Sequence, residues 1–455
     1  MDILDVIYSR QGDATAIVYR DKKITYDQLR SAVSALSLKL ADGFAMIVAE
    51  SPVVSTIAWL ACYHKGISCA LIDPLVYGAE SKSINAKLPY CQIVTDLSLS
   101  EESGAVVINF DADKIELVEW REPSSFRFDK FFVLATSRST GELKFVRHDN
   151  RLLVFHNRFW RENFPLFDGD IVAAPGSLPF GYGFIVALTW ALWFGAAIAF
   201  VHRDRESQLP SISHSCTVSA LSVYDLRNIP KFENLRLAVS SGFMIQGDFW
   251  RWFAQSYPGV RLVNLVGATE FLTPFMYSDS ERPDVFRIFS PYDARVVDPD
   301  CGHPVFNKAG YLELKGFFSP AYWMSEDQTA RIRRDGWIRL GDFAVHFPDG
   351  SYKFLGRSSI SFDVEGAILA DRRFSDCCLV LIDGSLVLFI AASKDAESVD
   401  LSDVLSLLNK CDIKKISTII LLDKIERSPS GKIPYAWARR VFDCDGSQYR
   451  ARVNL

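Results

Sequence analysis

The sequence lacks a surplus of positive charge. It has 50 Lys and Arg residues against 55 Asp and Glu residues, which gives a formal net charge of −5. No run of basic residues with interleaved aromatic residues occurs along the chain. Because binding to a nucleic-acid backbone normally requires a basic surface, we expect no nucleic-acid partner.

The nine cysteines lack the spacing of a metal site. Cys377 and Cys378 are adjacent and the others are scattered, so no C-x-x-C ligand pair is formed. The first residues, MDILDVIYSRQGD, carry acidic side chains early and include no long apolar run, which is not typical of a signal peptide. An odd number of cysteines without such a leader is typical of reduced thiols. We therefore expect a cytoplasmic protein.

Charged side chains are missing from one long segment, residues 171–201. Within it, Phe184–Val201 is long and apolar enough to be a candidate transmembrane span. The alternative is a buried helix over Phe184–Phe194 followed by a core strand over Ala196–Val201. Gly195 between the two and the preceding PGSLPFGYG favour the buried helix and strand, so we expect no membrane span.

What the sequence does have is an alternation of strand and helix patterns up to about residue 280. This alternation predicts an α/β fold with mostly parallel sheets. Turn-rich strands from about residue 285 predict a small antiparallel or barrel-like β unit, and the end of the chain resembles a small α+β unit. With 455 residues the chain fits two or three domains. We predict a large N-terminal domain over 1–356 and a small C-terminal domain over 357–455.

A candidate phosphate-binding loop lies in Phe131–Val146, FFVLATSRSTGELKFV, where an apolar strand ends in small and hydroxyl-bearing residues. Backbone N–H groups and hydroxyls donate hydrogen bonds to phosphate, and a lysine supplies positive charge. An ordinary surface loop is the alternative. The candidate residues are Thr136, Ser137, Arg138, Ser139, Thr140, Gly141 and Lys144.

Four further places carry residues that nucleotide chemistry uses. In NLVGATEF, the Glu270 carboxylate can hold Mg²⁺ and the Thr269 hydroxyl can contact a phosphate. In DGWIRLGDF, Asp342 can bridge two ribose hydroxyls. Arg357 in FLGRSS is a candidate for a phosphate or ribose contact, and the Pro/Ser/Gly loop ERSPSGKIPY presents Lys432. The alternatives are a strand cap, a turn aspartate and two solvated surface cations.

The order and spacing of these motifs resemble the adenylate-forming superfamily, which includes acyl- and aryl-CoA synthetases, peptide-synthetase adenylation domains and luciferases. The resemblance runs over nearly the whole chain, beginning at DATAIVYRDKKITYDQL, and is specific in the combination of GYLELKGFFSPAYW, DGWIRLGD and PSGKI. GATEFLTPF and SLPFGYGF are most similar to aryl-acid members such as benzoate-CoA ligases.

The resemblance implies a biosynthetic ligase that uses ATP and Mg²⁺. In this reaction the carboxylate of a small-molecule acid attacks the α-phosphate of ATP and gives an acyl-adenylate and pyrophosphate. The acyl group then passes to an amine or to a thiol, which belongs to CoA or to the phosphopantetheine of an acyl carrier protein. The alternative is a degenerate nucleotide- or acyl-adenylate-binding protein with little turnover.

The resemblance also implies roles for the candidate residues. The loop and Lys144 cradle the departing pyrophosphate, Thr269 contacts the α-phosphate and Glu270 holds Mg²⁺. Asp342 binds the ribose hydroxyls, with Arg357 beside it. The residues implied to line the adenine are Gly242, Phe243 and Asn264.

An apolar acid is the favoured substrate. Amino-acid-activating relatives place an aspartate near PFGYGF to hold the α-amino group, and this chain has none there. Each candidate pocket residue is equally suited to an ordinary core position. These residues are Phe180, Tyr182, Gly183, Phe243, Ala268 and Phe271.

The chain departs from the family pattern T-S-G-T-T-G-x-P-K-G in the phosphate loop. Arg138 replaces the first glycine, Leu143 the proline and Phe145 the last glycine. Arg138 either adds a phosphate contact or stiffens a position that favours glycine. Val266 replaces an aromatic residue that often stacks on adenine.

A second departure follows Arg357. Relatives continue with a charged hinge residue and a hairpin that helps form the thiol site after the small domain rotates. Here FDVEGAILADRRFSDCCLVL matches the next helix and strand without a gap, so the hairpin is missing; a rival alignment keeps it at Gly366 and deletes the helix. Adenylation is therefore better supported than CoA thioester formation.

Lys432 provides a test of the resemblance, because it implies that the small domain delivers this lysine to the α-phosphate and the attacking carboxylate. Preorganised positive charge of this kind typically contributes ~3 kcal/mol or more. We expect Lys432→Ala to lose at least ~100-fold in adenylation rate, measured by ATP–pyrophosphate exchange. An unchanged exchange rate would refute this role.

Overall fold

The computed structural model describes most of the chain. The described residues are 2–20, 22–98, 106–109, 129–136, 143–201, 214–229, 231–242, 244–245, 247–316, 321–356, 364, 368, 371, 373–382, 385–393, 399–408, 416–426, 435–444 and 451–454.

Strands occur along the whole described chain. Those before residue 150 are β1 (Thr15–Tyr19), β2 (Lys22–Thr25), β3 (Phe44–Val48), β4 (Ser68–Ile72), β5 (Gln92–Thr95), β6 (Val106–Asn109), β7 (Phe131–Ala135) and β8 (Phe145–Asp149). Those up to residue 290 are β9 (Ile171–Pro175), β10 (Ala197–Val201), β11 (Val218–Ala220), β12 (Leu237–Ser241), β13 (Arg261–Val266), β14 (Met276–Asp279) and β15 (Arg282–Ile288). The remainder are β16 (Asp293–Val297), β17 (Ala309–Lys315), β18 (Ala321–Tyr322), β19 (Arg333–Arg334), β20 (Trp337–His346), β21 (Tyr352–Gly356), β22 (Phe374–Ile382), β23 (Ser385–Ala392), β24 (Ile416–Leu422) and β25 (Ala451–Asn454).

Helices connect many of these strands. The α-helices are α1 (Ile3–Ser9), α2 (Tyr26–Lys39), α3 (Pro52–Lys65), α4 (Pro74–Lys87), α5 (Leu153–Asn163), α6 (Thr189–Phe194), α7 (Val223–Asn228), α8 (Gly247–Ser256), α9 (Glu326–Ile332), α10 (Leu401–Leu408) and α11 (Tyr435–Asp443). A 3₁₀ turn spans Asn150–Leu152 and a π-helix spans Tyr182–Leu188.

The described strands form three sheets. The largest has the order β16-β17-β20-β21-β15-β14-β13-β12-β11-β9-β10-β1-β2, with β19 paired to β20. The second has the order β18-β8-β7-β4-β3-β5-β6, and the third has the order β22-β23-β24-β25. The strands from β10 through β9, β11 and β12 to β13 are parallel, which confirms the predicted α/β fold.

The predicted barrel-like unit has a different form. Its strands continue the largest sheet beyond β13 as antiparallel neighbours, from β14 to β16 in the sheet order. Among the strands that the structure describes, this path stays open and no barrel closes. Turn-rich antiparallel strands are compatible with an open sheet or a closed barrel, and the pairing of β15 with β21 links this unit to the large sheet.

The uncharged segment forms a buried helix and strand. The π-helix and α6 are followed by Gly195, which has a φ of 63° and ends the helix, and then by β10. Phe184 lies against Trp59 and Phe132, with ring centroids 4.8 and 5.1 Å apart. Within the described ranges, no helix is long and apolar enough to cross a membrane.

These contacts hold together the elements that end at the candidate site. Phe132 lies on β7, directly before the predicted phosphate loop, and β7 pairs in parallel with β4. The π-helix contains the predicted acid-pocket residues Tyr182 and Gly183. Packing of Phe184 on Phe132 therefore fixes the pocket segment against the strand that leads into the loop.

Candidate functional site

The predicted phosphate loop connects two antiparallel strands. β7 and β8 pair from Phe131 opposite Asp149 to Ala135 opposite Phe145. The Thr136 N–H donates a hydrogen bond to the Lys144 carbonyl at 2.9 Å, so the two ends of the loop are held together. Five predicted residues of the loop lie outside the described residues. They are Ser137, Arg138, Ser139, Thr140 and Gly141.

Lys144 and Glu270 meet at one tyrosine. The short strand β18 pairs with β8, with Tyr322 opposite Val146. The Lys144 Nζ lies 5.3 Å from the centroid of the Tyr322 ring, and the Tyr322 hydroxyl donates a hydrogen bond to the Glu270 carboxylate. The structure thus brings together two predicted site residues that are far apart in the sequence.

Thr269 lies beside the PFGYGF segment. It lies after β13 in a tight turn in which Phe271 N–H donates to the Ala268 carbonyl at 3.0 Å. A Cβ added to Gly181 would lie 3.5 Å from the Thr269 Oγ1. In this turn Ala268 and Thr269 are half-buried, and Glu270 is only 9% exposed.

The remaining pocket candidates have clear structural environments. The Tyr182 hydroxyl donates to the Val239 carbonyl at 2.9 Å, and burial raises its pKa well above the ordinary value. Phe271 is fully buried, and its ring lies 5.7 Å from that of Tyr292. Phe180 is half-buried and Phe243 lies outside the described residues. Tyr182 and Phe271 are therefore each held by contacts within the protein.

Asn264 carries an unusual buried amide. It is 1% exposed, and in the described part of the chain neither its Nδ2 nor its Oδ1 has a hydrogen-bond partner. Its cross-strand neighbours are Ser240 and Ser278, whose hydroxyls are also without partners there. Buried amides nearly always form hydrogen bonds, so Asn264 is suited to a ligand that offers both a donor and an acceptor.

The predicted ribose residues adjoin one strand pair. Asp342 lies on β20 and is 9% exposed, and the next residue, Phe343, pairs with Gly356 of β21. Arg357 and Lys432 lie outside the described residues. Gly242, implied to line the adenine, follows β12 with a φ of 88°, a conformation that favours glycine.

The described residues hold no protein cage for a metal. Among them, no group of three or more His, Cys, Asp or Glu side chains is close enough to bind a metal ion. Mg²⁺ in phosphoryl-transfer sites is usually held by one or two carboxylates together with substrate phosphates and water. A single carboxylate at the site, that of Glu270, is therefore compatible with a Mg²⁺ ion that is held mainly by phosphates and water.

A family model described as AMP-binding enzyme matches residues 5–323. The chain belongs to the AMP-binding enzyme family. The matched region includes Lys144, Glu270 and Tyr322.

Individual relatives of this AMP-binding enzyme are distant. It is 23% identical over 347 residues to a 3-hydroxybenzoate–CoA ligase of Aromatoleum sp., covering 67% of this chain and 65% of the relative. It is 24% identical to an isonitrile lipopeptide synthase of Streptomyces coeruleorubidus, over 93% of this chain and 32% of that protein. The chain therefore spans less than two thirds of the length of either relative.

Solved structures share the fold. A benzoate CoA ligase from Burkholderia xenovorans superposes with a TM-score of 0.80 at 18% identity, covering 96% of this chain and 99% of that one. An O-succinylbenzoate CoA synthetase from Bacillus subtilis, in complex with AMP, gives 0.79 at 16% identity, with 99% of each chain covered. At these identities the likeness concerns the fold.

Two of the departures in the phosphate loop of this AMP-binding enzyme have a packing reason. Leu143 is 4% exposed and Phe145 is 2% exposed, and both belong to the core between α4 and the second sheet. The Leu143 carbonyl also accepts a hydrogen bond from the Lys87 Nζ at 3.4 Å. A glycine in place of Phe145 would have no side chain to make this contact, and Leu143 and Phe145 together fasten the end of the loop to α4.

Two buried residues at the site were not predicted. One is Tyr322, whose role depends on the pairing of β18 with β8. The other is His148, which is fully buried and lies 5.2 Å, ring to ring, from Phe132. Burial lowers the pKa of the His148 imidazole to about 4. The Thr269 backbone and the negative charge of Asp149 act to raise this pKa, but burial has the larger effect. His148 is therefore neutral at pH 7, and a histidine within an apolar strand gives no distinctive signal.

Two glycines of the AMP-binding enzyme's PFGYGF segment give a matched stability test. A Cβ on Gly183 would lie 2.3 Å from the Ser177 carbonyl oxygen, whereas the nearest atom to a Cβ on Gly181 is 3.5 Å away. We expect Gly183→Ala to lower the free energy of unfolding by ~1–3 kcal/mol and Gly181→Ala to change it by less than ~0.5 kcal/mol. Denaturant unfolding measures both, and equal losses would contradict the described backbone.

Proposed function

We propose that the protein catalyses ATP-dependent adenylation of an aromatic or other apolar carboxylic acid, giving an acyl-adenylate and pyrophosphate. The observation that carries this proposal is the meeting of Lys144 and Glu270 at Tyr322. One side chain supplies a positive charge beside the candidate phosphate loop. The other supplies a carboxylate one residue from Thr269.

Charge placement is what this reaction requires of the protein. Phosphoryl-type transfer depends mainly on positioning and on neutralisation of phosphate charge. The Lys144 ammonium, next to the loop closed by the Thr136 N–H, stabilises the pyrophosphate as it leaves. Glu270 holds Mg²⁺, which when bound offsets phosphate charge.

The chemical step transfers the nucleotide to the acid. An oxygen of the substrate carboxylate forms a bond to the α-phosphorus, and the bond from that phosphorus to the oxygen bridging to the β-phosphate breaks. The pyrophosphate leaves with the electron pair. Thr269 orients the α-phosphate, and Lys432 offsets charge on the α-phosphate and the attacking carboxylate.

The nucleoside is held by residues on and beside strands of the large sheet. Asp342 accepts hydrogen bonds from the two ribose hydroxyls, and Arg357 lies beside it. The unpartnered amide of Asn264 supports a contact with adenine, which offers both donors and acceptors at its edge. The other residues proposed to line the adenine are Gly242 and Phe243.

An aromatic acid suits the candidate pocket. Its walls are Phe180, Tyr182, Gly183, Phe243, Ala268 and Phe271, which carry no formal charge. The 3-hydroxybenzoate–CoA ligase relative and the benzoate CoA ligase structure support the same substrate class. The Tyr182 hydroxyl donates its hydrogen bond to the Val239 carbonyl, so the aromatic ring is the part of this side chain that would face the acid.

Transfer of the acyl group follows adenylation. We propose that residues 1–356 bind ATP and the acid and that residues 357–455 form a small domain that delivers Lys432. The four-stranded sheet of β22–β25 supports a separate unit, since its strands pair with one another. The acceptor is an amine or the thiol of CoA or of a carrier protein.

Acid-dependent ATP–pyrophosphate exchange tests this function. A panel of benzoates, cinnamates, fatty acids and amino acids is expected to give exchange with an aromatic or apolar acid. Glu270→Gln should reduce the rate at least ~100-fold, the scale of one lost charge-stabilising group. Glu281→Gln, the same change at an exposed turn, is the control and should retain the wild-type rate.

The same assay separates the proposal from its rival. Exchange that is absent with every acid, while ATP still binds, would favour a nucleotide- or acyl-adenylate-binding protein with little turnover. Exchange that survives Glu270→Gln would show that this carboxylate is not the metal ligand.

A further inference from the structure

Tyr322 separates two opposite charges at the candidate site. The Lys144 ammonium lies against one part of the residue, its aromatic ring, and the Glu270 carboxylate accepts a hydrogen bond from the hydroxyl at the other end. Within the part of the chain that the structure describes, neither Lys144 nor Glu270 takes part in an ion pair. Both charges are therefore bound to the same tyrosine instead of to each other.

The position of Tyr322 is fixed by its own strand and by the helix that follows. Its N–H donates to the Thr329 Oγ1 at 3.0 Å. The next residue, Trp323, donates its backbone N–H to the Phe145 carbonyl at 2.7 Å and its Nε1–H to the Lys87 carbonyl at 3.2 Å. With Tyr322 only 6% exposed, the ring has little freedom to leave the space between the two charges.

A direct Lys144–Glu270 ion pair would work against nucleotide binding. Opposite charges with low solvent exposure attract strongly, and a lysine paired to a carboxylate must give up that partner before it binds phosphate. A cation on an aromatic face is held less strongly, by about 0.5–2 kcal/mol depending on exposure. The ammonium on Tyr322 is therefore positioned but easily released.

We propose that Tyr322 is a positioning residue that keeps Lys144 and Glu270 from neutralising each other, so that the ammonium stays available to phosphate and the carboxylate to Mg²⁺. This inference rests on the proposed function. The ring holds the lysine and blocks the ion pair, and the hydroxyl orients the carboxylate. The two parts of one side chain thus have separable effects.

The test is a double-mutant cycle on ATP binding, measured by calorimetry without the acid substrate. Without Mg²⁺, Tyr322→Leu should weaken ATP binding ~10-fold, the lower end of the contribution of a hydrogen bond to a charged group, because Lys144 then pairs with Glu270. In the Glu270→Gln background no carboxylate remains for Lys144. The same Tyr322→Leu change should there alter ATP binding by less than ~2-fold.

A second, conservative variant keeps the test valid if Tyr322→Leu does not fold. Tyr322→Phe retains the ring, so binding of Mg²⁺-free ATP should stay within ~2-fold of wild type, whereas the gain in affinity from added Mg²⁺ should fall ~10-fold. Tyr352→Phe is the matched control, since that hydroxyl donates to the Ala294 carbonyl at 2.9 Å in the antiparallel unit. It should change neither quantity.

The outcomes distinguish the inference from the proposed function. If Tyr322→Leu weakened ATP binding equally in the wild-type and Glu270→Gln proteins, the ring would act only through the local structure. That result would overturn the inference and leave the proposed function standing. An unchanged Mg²⁺ effect in Tyr322→Phe would overturn the role of the hydroxyl. A wild-type protein that binds no ATP would overturn the proposed function together with the inference.

Discussion

The pairing of β18 with β8 is the constraint on which the candidate site depends. Tyr322 lies opposite Val146 in this short antiparallel contact. The pairing continues in the hydrogen bond from the Trp323 N–H to the Phe145 carbonyl. Without it, the lysine of the phosphate loop and the carboxylate after β13 would have no common contact. A strand of two residues thus sets the charge arrangement of the site.

Packing in the hydrophobic core holds the segments that carry this arrangement. Phe132 on β7 packs against Phe184 of the π-helix and Trp59 of α3, which ties the loop strand to the acid-pocket segment. Leu143 and Phe145 extend the apolar contact to α4. Two residues that depart from the family's loop pattern, Leu143 and Phe145, are therefore part of the core. They hold the end of the loop in place.

Much of the fold follows from the sequence, because alternating apolar runs and amphipathic segments predict parallel α/β sheets. One such amphipathic segment is α2, and Thr25 and Gln28 form a capping box at its start. α4 was not predicted, because Ile84 is its one buried residue and no apolar stripe marks it. A helix was predicted from Phe184 onward, but its π form over Tyr182–Leu188 was not, since a wider turn does not alter the composition of an apolar run.

The candidate site was only partly predictable, for a related reason. Sequence motifs are local, so Lys144, Glu270 and Asp342 could be found from the sequence around each of them. Tyr322 acts through contacts between segments that are far apart in the chain. Its strand has only two residues, which is too short for an alternation of apolar and polar residues to be seen. Whether antiparallel strands close into a barrel likewise depends on long-range pairing. The open edge at β16 is a property of the assembled sheet.

The proposed adenylation requires the acid carboxylate to attack the α-phosphate of ATP at this site. Incubation with ATP, Mg²⁺ and an accepted acid labelled with heavy oxygen in its carboxylate tests this most directly, with hydroxylamine added to release AMP. Mass spectrometry of the AMP should show one heavy oxygen, because the adenylate oxygen comes from the acid. Acid-dependent AMP that carries no heavy oxygen would contradict the claim.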